Sequence, residues 1–250
     1  MVKKIIAHRG MSSLAPENTL AAFRLCRRHG IKWFECDADI LADGTVVISH
    51  DDTLDRCTNI SGSLYTLTAD YIHEIDAGGW FSDEYIGERI PTLRELIQVV
   101  NEYELDFNLE IKSCTCGWQH TKKLIDGCIK ELESLHPERN VIVSSFNHLA
   151  LVEFKRHRPD TDIACLFEHA NLWPDWHSIL QACQAYAIHL EDKCLTKEKI
   201  LMFKQAGYVV NVYTVNSLSR ANELFNWGAD GIFTDVAHDF PNKYKEIHSL

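Results

Sequence analysis

Four short clusters carry the groups in this chain that could do chemistry: His8-Arg9-Gly10, Glu35-x-Asp37, His50-Asp51 and Glu110-x-Lys112. Side chains alternate along a strand, so a spacing of two sets Glu35 beside Asp37 on one face, and likewise Glu110 beside Lys112. Three carboxylates converging in one lumen repel and resist desolvation unless a cation neutralises them. Their hard oxygen ligands, with no cysteine among them, select one divalent Mg2+ or Ca2+ over zinc or copper, and ligand number leaves the choice between those two open. His8 and His50 each abut charged residues. They are suited to proton transfer, one taking a proton from a nucleophile and the other protonating a leaving oxygen, as cleavage of a phosphodiester requires. Arg9, through its fork, and Lys112, as a point charge, complement an anionic phosphodiester. The competing reading is a structural network in which Glu35 or Glu110 pairs with Arg9 or Lys112 and no metal enters.

The elements that must position these groups repeat with a simple rhythm. Short β-branched runs alternate with amphipathic stretches, the pattern of βα units around a parallel sheet. Eight strands are expected, at Lys4–Ala7, Trp33–Ala38, Phe107–Ile111, Val141–Ser145, Ile163–Phe167, Ala187–Leu190, Val209–Tyr213 and Gly231–Thr234, each followed by helical sequence. Asn18-Thr19 caps a helix that Gly30 stops, Pro91-Thr92 opens another with Glu95 in its first turn, and Gly207 and Gly228 end later ones. Short connections favour an α/β fold closed as a (β/α)8 TIM barrel over an open doubly wound sheet, and no Gly-x-Gly-x-x-Gly follows the first strand. Catalytic groups of such barrels sit where strands end. That is where His8 and Glu110 fall, and Val46-Val47-Ile48, read as an extension of the second strand, leads to His50. The interval from about Asp51 to Ile90 breaks the rhythm with Ser61-Gly62-Ser63, Gly78-Gly79 and Gly87. Its aromatics Tyr65, Tyr71, Trp80, Phe81 and Tyr85 favour an ordered cap inserted in a single barrel domain spanning 1–250.

Composition narrows the partners. The 250 residues are 46% hydrophobic, enough for one substantial core, and carry a net charge of −11. Such an acidic chain offers no broad basic surface to nucleic acid or anionic lipid, so neither nucleic acid nor stable membrane association is expected, and oligomeric state is left open. Nine cysteines form no regular framework, and Cys114-x-Cys116 with His120 lacks a second pair at zinc-finger spacing. Reduced thiols and the short apolar run at Met1 to Ala7 point to the cytoplasm.

Taken together, His8-Arg9-Gly10 with Pro16-Glu17-Asn18-Thr19, Glu35-x-Asp37, His50-Asp51, Pro91-Thr92-Leu93 and Glu110-Ile111-Lys112 resemble the glycerophosphodiester phosphodiesterase family. Ser144-Ser145-Phe146, Val212 to Asn216 and Asp230 to Asp235 extend the likeness over nearly the whole chain. It is closest to small cytoplasmic bacterial enzymes associated with glycerol 3-phosphate uptake, and Ile188-His189-Leu190 resembles that subgroup. The resemblance implies hydrolysis of glycerophosphodiesters to glycerol 3-phosphate and an alcohol. It implies metal binding by Glu35, Asp37 and Glu110, acid/base roles for His8 and His50, and phosphate contacts from Arg9 and Lys112. It further implies that the insertion is a small subdomain and that Tyr213 lines the substrate pocket; many relatives carry Trp there, which bears on pocket packing and not on metal chemistry. Pro16, Glu17 and Asn18 match the family signature, yet loop shaping and capping account for them equally well. The expected nucleophile is the glycerol hydroxyl next to the phosphodiester, already placed for attack. Rival readings are a lysophospholipase D-like or phosphoinositide phospholipase-like enzyme, which calls for a membrane-facing apolar loop, and a non-catalytic phosphate-binding barrel, which has no need of a proton-transfer pair.

Overall fold

The computed structural model describes residues 3–245. In chain order the elements are β1 (Lys4–Ala7), α1 (Leu20–Arg28), β2 (Trp33–Ile40), β3 (Val46–Ile48), α2 (Ala69–Ile72), α3 (Leu93–Glu102), β4 (Asp106–Ile111), α4 (Trp118–Glu131), β5 (Val141–Ser145), α5 (His148–His157), β6 (Asp162–Phe167), α6 (Trp176–Ala182), β7 (Ala187–Glu191), α7 (Lys197–Gln205), β8 (Val209–Tyr213), α8 (Leu218–Trp227) and β9 (Gly231–Thr234). β1 pairs in parallel with β2, Ile6 opposite Trp33, and with β9, Lys4 opposite Gly231. Those two pairings close eight parallel strands into a barrel with the helices outside, the expected (β/α)8 fold.

Two departures from the expected pattern have local causes. Val46–Ile48 does not prolong the second strand but turns back and pairs antiparallel with it, Ala38 opposite Ile48. The reversal is made at Asp43-Gly44: Gly44 has φ 91°, and the Asp43 carboxylate accepts from Thr45 N at 3.0 Å. The last strand is followed, among the described residues, by two single 3-10 turns, Ala237–Asp239 and Asn242–Tyr244, rather than a full helix. Pro241 stands between them and holds the preceding residue extended.

Helix starts follow the residues expected to make them. Thr19 accepts from Ala22 N at the head of α1. At α3, Thr92 N donates to Glu95 Oε2 at 2.8 Å while Glu95 N donates to Thr92 Oγ1 at 3.2 Å, a reciprocal capping box.

Apolar burial falls into three groups. The main core lies between the outer face of the strands and the helices and includes Phe23, Phe34 and Phe107, with adjacent ring centroids 4.6 and 5.8 Å apart. The lower lumen is plugged by Ile6, Trp33, Ile142, Ala164, Ala187 and Phe233. A separate cluster belongs to the interval between β3 and α3, where Leu54, Leu64, Ile72, Ile75 and Ile90 pack on Leu41 and Val47. Full burial of such side chains stabilises by roughly 1.5 to 3 kcal/mol each before chain entropy is subtracted, and this cluster packs the interval against the barrel. Tyr85 Oη ties it to the β1–α1 loop by donating to Leu14 O at 2.8 Å, while Tyr71 and Trp80 remain exposed.

Candidate active site

The polar strand ends meet above the apolar plug. His8, Arg9, Glu35, Asp37, His50, Glu110, Lys112 and Tyr213, all singled out from the sequence, line one cavity of about 280 Å³ at the C-terminal ends of the strands. A wider hollow of about 860 Å³ opens at the other end of the barrel but contains none of these residues. Glu35 and Asp37 project from β2 and Glu110 from β4, with Asp37 directly opposite Glu110 in the parallel ladder. One oxygen from each of the three lies within 4.8 Å of the others.

The electrostatics of this cluster are unbalanced. Burial, reinforced by the Asp37 charge, pushes the Glu35 carboxyl up to about 8, and burial likewise raises Glu110. Asp37 is equally buried, but Lys112 and Arg9 more than offset that and hold its carboxyl well below the usual range. Lys112 Nζ stands 2.8 Å from Glu110 and 3.3 Å from Asp37. Arg9 contributes its backbone N–H to Glu35 at 3.0 Å and brings Nε to 3.5 Å from Asp37, where Nε has no hydrogen-bond partner. Two side-chain cations therefore face three buried carboxylates, two of which, Glu35 and Glu110, end above their usual range. A hard divalent cation fits that donor set: it supplies the missing charge and takes oxygen ligands.

Each histidine has its own carboxylate. His8 Nδ1 lies 2.7 Å from Asp235 just beyond β9, leaving Nε2 toward the site, 3.9 Å from Glu35. Burial opposes protonation of His8, yet the Asp235 hydrogen bond and the Glu35 charge prevail and raise its pKa. Asn216 Nδ2 and Ser12 Oγ hold Asp235 in turn, at 2.7 and 3.4 Å. His50 Nδ1 lies 2.6 Å from Asp51, which accepts from Arg56 Nε at 2.6 Å. A carboxylate on Nδ1 fixes the ring and leaves Nε2 for proton transfer, the arrangement a general acid or base needs.

The β1–α1 loop orients the rest. Arg9 adopts φ 56° and Asn18 φ 57°, left-handed conformations uncommon outside glycine. Gly10 between them has φ 80°, and a Cβ there would come within 2.9 Å of Ala22. Asn18 Nδ2 donates to Asp37 Oδ2 at 2.8 Å. Glu17 accepts from Arg9 Nη1 at 2.7 Å and from both terminal nitrogens of Arg56 at 2.8 Å. Of the two readings of Pro16-Glu17-Asn18, capping belongs to Thr19, while Glu17 and Asn18 orient Arg9 and Asp37. Tyr213 lines the cavity with its ring, edge-on to Phe146 at 6.1 Å, but spends its hydroxyl on Phe167 O at 2.9 Å.

Sequence reasoning gave no role to the orienting carboxylates Asp235 and Asp51, to the Glu17–Arg56 link, or to Asn108 and His189, which stand in the polar third strand and in a family-like motif and line the cavity. Asp51 and Asp235 stood inside motifs that were singled out, and a carboxylate directly after a strand was the available signal.

The model of the glycerophosphoryl diester phosphodiesterase family matches residues 8–238. The chain is 34% identical over 231 residues to a glycerophosphodiester phosphodiesterase of Caldanaerobacter subterraneus subsp. tengcongensis, covering 92% of this chain and 93% of that one. It is 28% identical to a glycerophosphodiester phosphodiesterase of Bacillus subtilis, over 97% of this chain and 85% of the other. A phosphodiesterase of Oleispira antarctica, solved in complex with the product sn-glycerol-3-phosphate, is similar with a TM-score of 0.90 and 34% identity, covering 95% of this chain and 94% of the other.

Proposed function

The chain belongs to the glycerophosphoryl diester phosphodiesterase family and hydrolyses glycerophosphodiesters to glycerol 3-phosphate and an alcohol, and we propose that His8 and His50 carry the protons of that reaction beside one divalent cation. The observation that carries this reading is the convergence of Glu35, Asp37 and Glu110, flanked by two histidines each held by a carboxylate. Glu35, Asp37 and Glu110 would hold the ion, Mg2+ or Ca2+, which when bound supplies positive charge against the phosphoryl and glycerol oxygens. Lys112 and Arg9 neutralise the diester, and Tyr213 and Phe146 wall the pocket. The segment from about Asp51 to Ile90 acts as a cap subdomain on a single barrel domain, its Arg56 bracing Glu17 and Asp51.

In the first step one histidine removes the proton of the glycerol hydroxyl adjacent to the phosphodiester. That oxygen attacks phosphorus, the bond to the head-group oxygen breaks, and the other histidine protonates the departing alcohol. In the second, the histidine that gave its proton takes one from water. Water oxygen bonds to phosphorus, the ring P–O bond opens, and the first histidine returns its proton to the glycerol oxygen. Protons and electron pairs balance over the two steps, and both histidines end as they began. Intramolecular attack is favoured because the nucleophile is already in place. The unpaired cysteines support a reducing compartment, which we take to be the cytoplasm; no helix among the described residues is long and apolar enough to cross a membrane.

Release of glycerol 3-phosphate from glycerophosphocholine, glycerophosphoethanolamine and glycerophosphoglycerol tests the whole reading, with the metal-stripped protein restored by magnesium or calcium. Turnover that lapses on stripping and returns with one of the two ions is expected. Full turnover in exhaustively stripped protein would defeat the metal assignment. A deoxy substrate lacking the adjacent hydroxyl, cleaved at the same saturated rate, would replace internal attack with attack by water.

A further inference from the structure

Across the cavity from the three carboxylates, the ends of β5, β6 and β8 carry side chains that solvent reaches. Phe146, Glu168 and Tyr213 all line the cavity; the two rings are half-buried and Glu168 is exposed. The rings meet edge-on with centroids 6.1 Å apart. Tyr213 Oη donates to Phe167 O at 2.9 Å, which fixes its ring beside the strand end that continues into Glu168. The Glu168 charge reaches that ring: the Tyr213 phenol is raised by burial first, then by the charges of Glu191, Glu110 and Glu168. Glu191, opposite Tyr213 in the ladder, is already taken, since it accepts from His169 N at 2.9 Å.

Glu168 has no such claim on it. Each basic side chain lining the cavity, the neutral His189 apart, is held by another carboxylate. Arg9 pairs with Glu17, Lys112 with Glu110 and Asp37, His8 with Asp235 and His50 with Asp51. Among the described residues Glu168 is therefore the one carboxylate lining the cavity that stands outside this network. Its neighbours add no hydrogen-bonding group, because Phe146 has none and the Tyr213 hydroxyl is spent. A polyol would find few partners there. An organic cation finds a free negative charge beside two aromatic rings, the combination that attracts ammonium groups and quaternary ammonium above all.

Resting on the reading that the divalent cation holds the glycerol arm of the substrate, we infer that Glu168, flanked by Phe146 and Tyr213, selects glycerophosphodiesters whose leaving alcohol carries an ammonium group. A phosphodiester gripped by Arg9 and Lys112 has two arms. The glycerol oxygens turn to the ion beside β2 and β4, so the other arm crosses toward β5, β6 and β8. Glu168 touches no reacting atom and acts on specificity alone.

Steady-state cleavage of glycerophosphocholine and of its carbon isostere, in which a tert-butyl group replaces the trimethylammonium, compares one shape with and without charge. Wild-type protein is expected to favour the choline ester by ~10-fold in kcat/KM, mainly through KM. Glu168→Gln should bring that ratio to within about threefold, Glu168→Asp should keep part of it, and Glu168→Lys should carry it below one. Sodium chloride at about 1 M should shrink the wild-type ratio and leave that of Glu168→Gln in place. A loss common to both substrates, as from altered folding, cancels in the ratio. Equal kcat/KM values in the wild type, or an unchanged ratio in Glu168→Gln, would overturn the inference. The catalytic reading fails on a different result, namely cleavage of neither diester, and the affinity ratio of the two intact diesters, read by calorimetry, then decides the inference on the same thresholds.

Discussion

The side of the lumen built from β1, β2 and β4 and the side built from β5 to β8 bury different chemistry on the same backbone. On the first, Glu35, Asp37 and Glu110 are buried in reach of Arg9, Lys112 and His8. On the second, the buried lumen groups are Ser144, Leu166, His189 and Asn211, with Phe146 and Tyr213 above them. Ionised groups survive burial only beside opposite charge or a cation, so they gather where partners already stand. The neutral side carries no such requirement. Buried charged and neutral side chains are thereby separated across a cavity of about 280 Å³.

If that division holds, the largest losses lie on the charged side. Glu110→Ala should lower turnover by more than about 10⁴-fold, beyond what removing one acid or base costs, because ion and charge balance are lost together. Calorimetric titration with magnesium or calcium should show binding abolished; retained binding with lost activity would move Glu110 out of the ligand set. His8→Gln and His50→Gln should each cost about 10² to 10⁴ in kcat with metal affinity intact. Metal content that fell in step with activity would make that histidine a ligand instead. Asp235→Asn should cost roughly 10 to 100-fold, the usual size for an orienting partner, and act on kcat rather than KM. An unchanged kcat would reduce the Asp235 contact to a structural one.

The smallest effect belongs to the neutral side and reads out as stability. His189 has a folded pKa of about 3 against 6.5 for the free side chain. Below about pH 6.5 the unfolded chain binds a proton that the folded chain refuses, so stability falls as pH falls, by up to about 1.4 kcal/mol per pH unit from this group. His189→Phe should flatten urea-unfolding stability between pH 6.5 and 4.5. An unaltered slope would place the acid sensitivity elsewhere.

The polar groups at strand ends were legible in the sequence because their signal is local. A histidine or paired carboxylates where a β-branched run stops can be recognised without knowing the neighbouring strand, which is why His8, Glu35, Asp37, His50 and Glu110 were found and meet in one cavity. Val46–Ile48 was read as prolonging its strand because alternation has no direction, and only the Asp43-Gly44 turn reverses it. Asp235 and Glu17 stood in plain view as motif residues, but their partners are set by three-dimensional neighbours rather than spacing. His189 was visible only as part of the Ile188-His189-Leu190 motif, since nothing along the chain tells an inward-facing ring from an outward-facing one without the barrel around it.

The contact between His8 and Asp235 spans 227 positions, nearly the length of the polypeptide. On a ribosome the histidine emerges 227 residues before its carboxylate exists. Joining the first strand to the last is a long-range event that comes late in folding. Chains that lack the residues beyond the final strand therefore lack the carboxylate that holds the His8 ring.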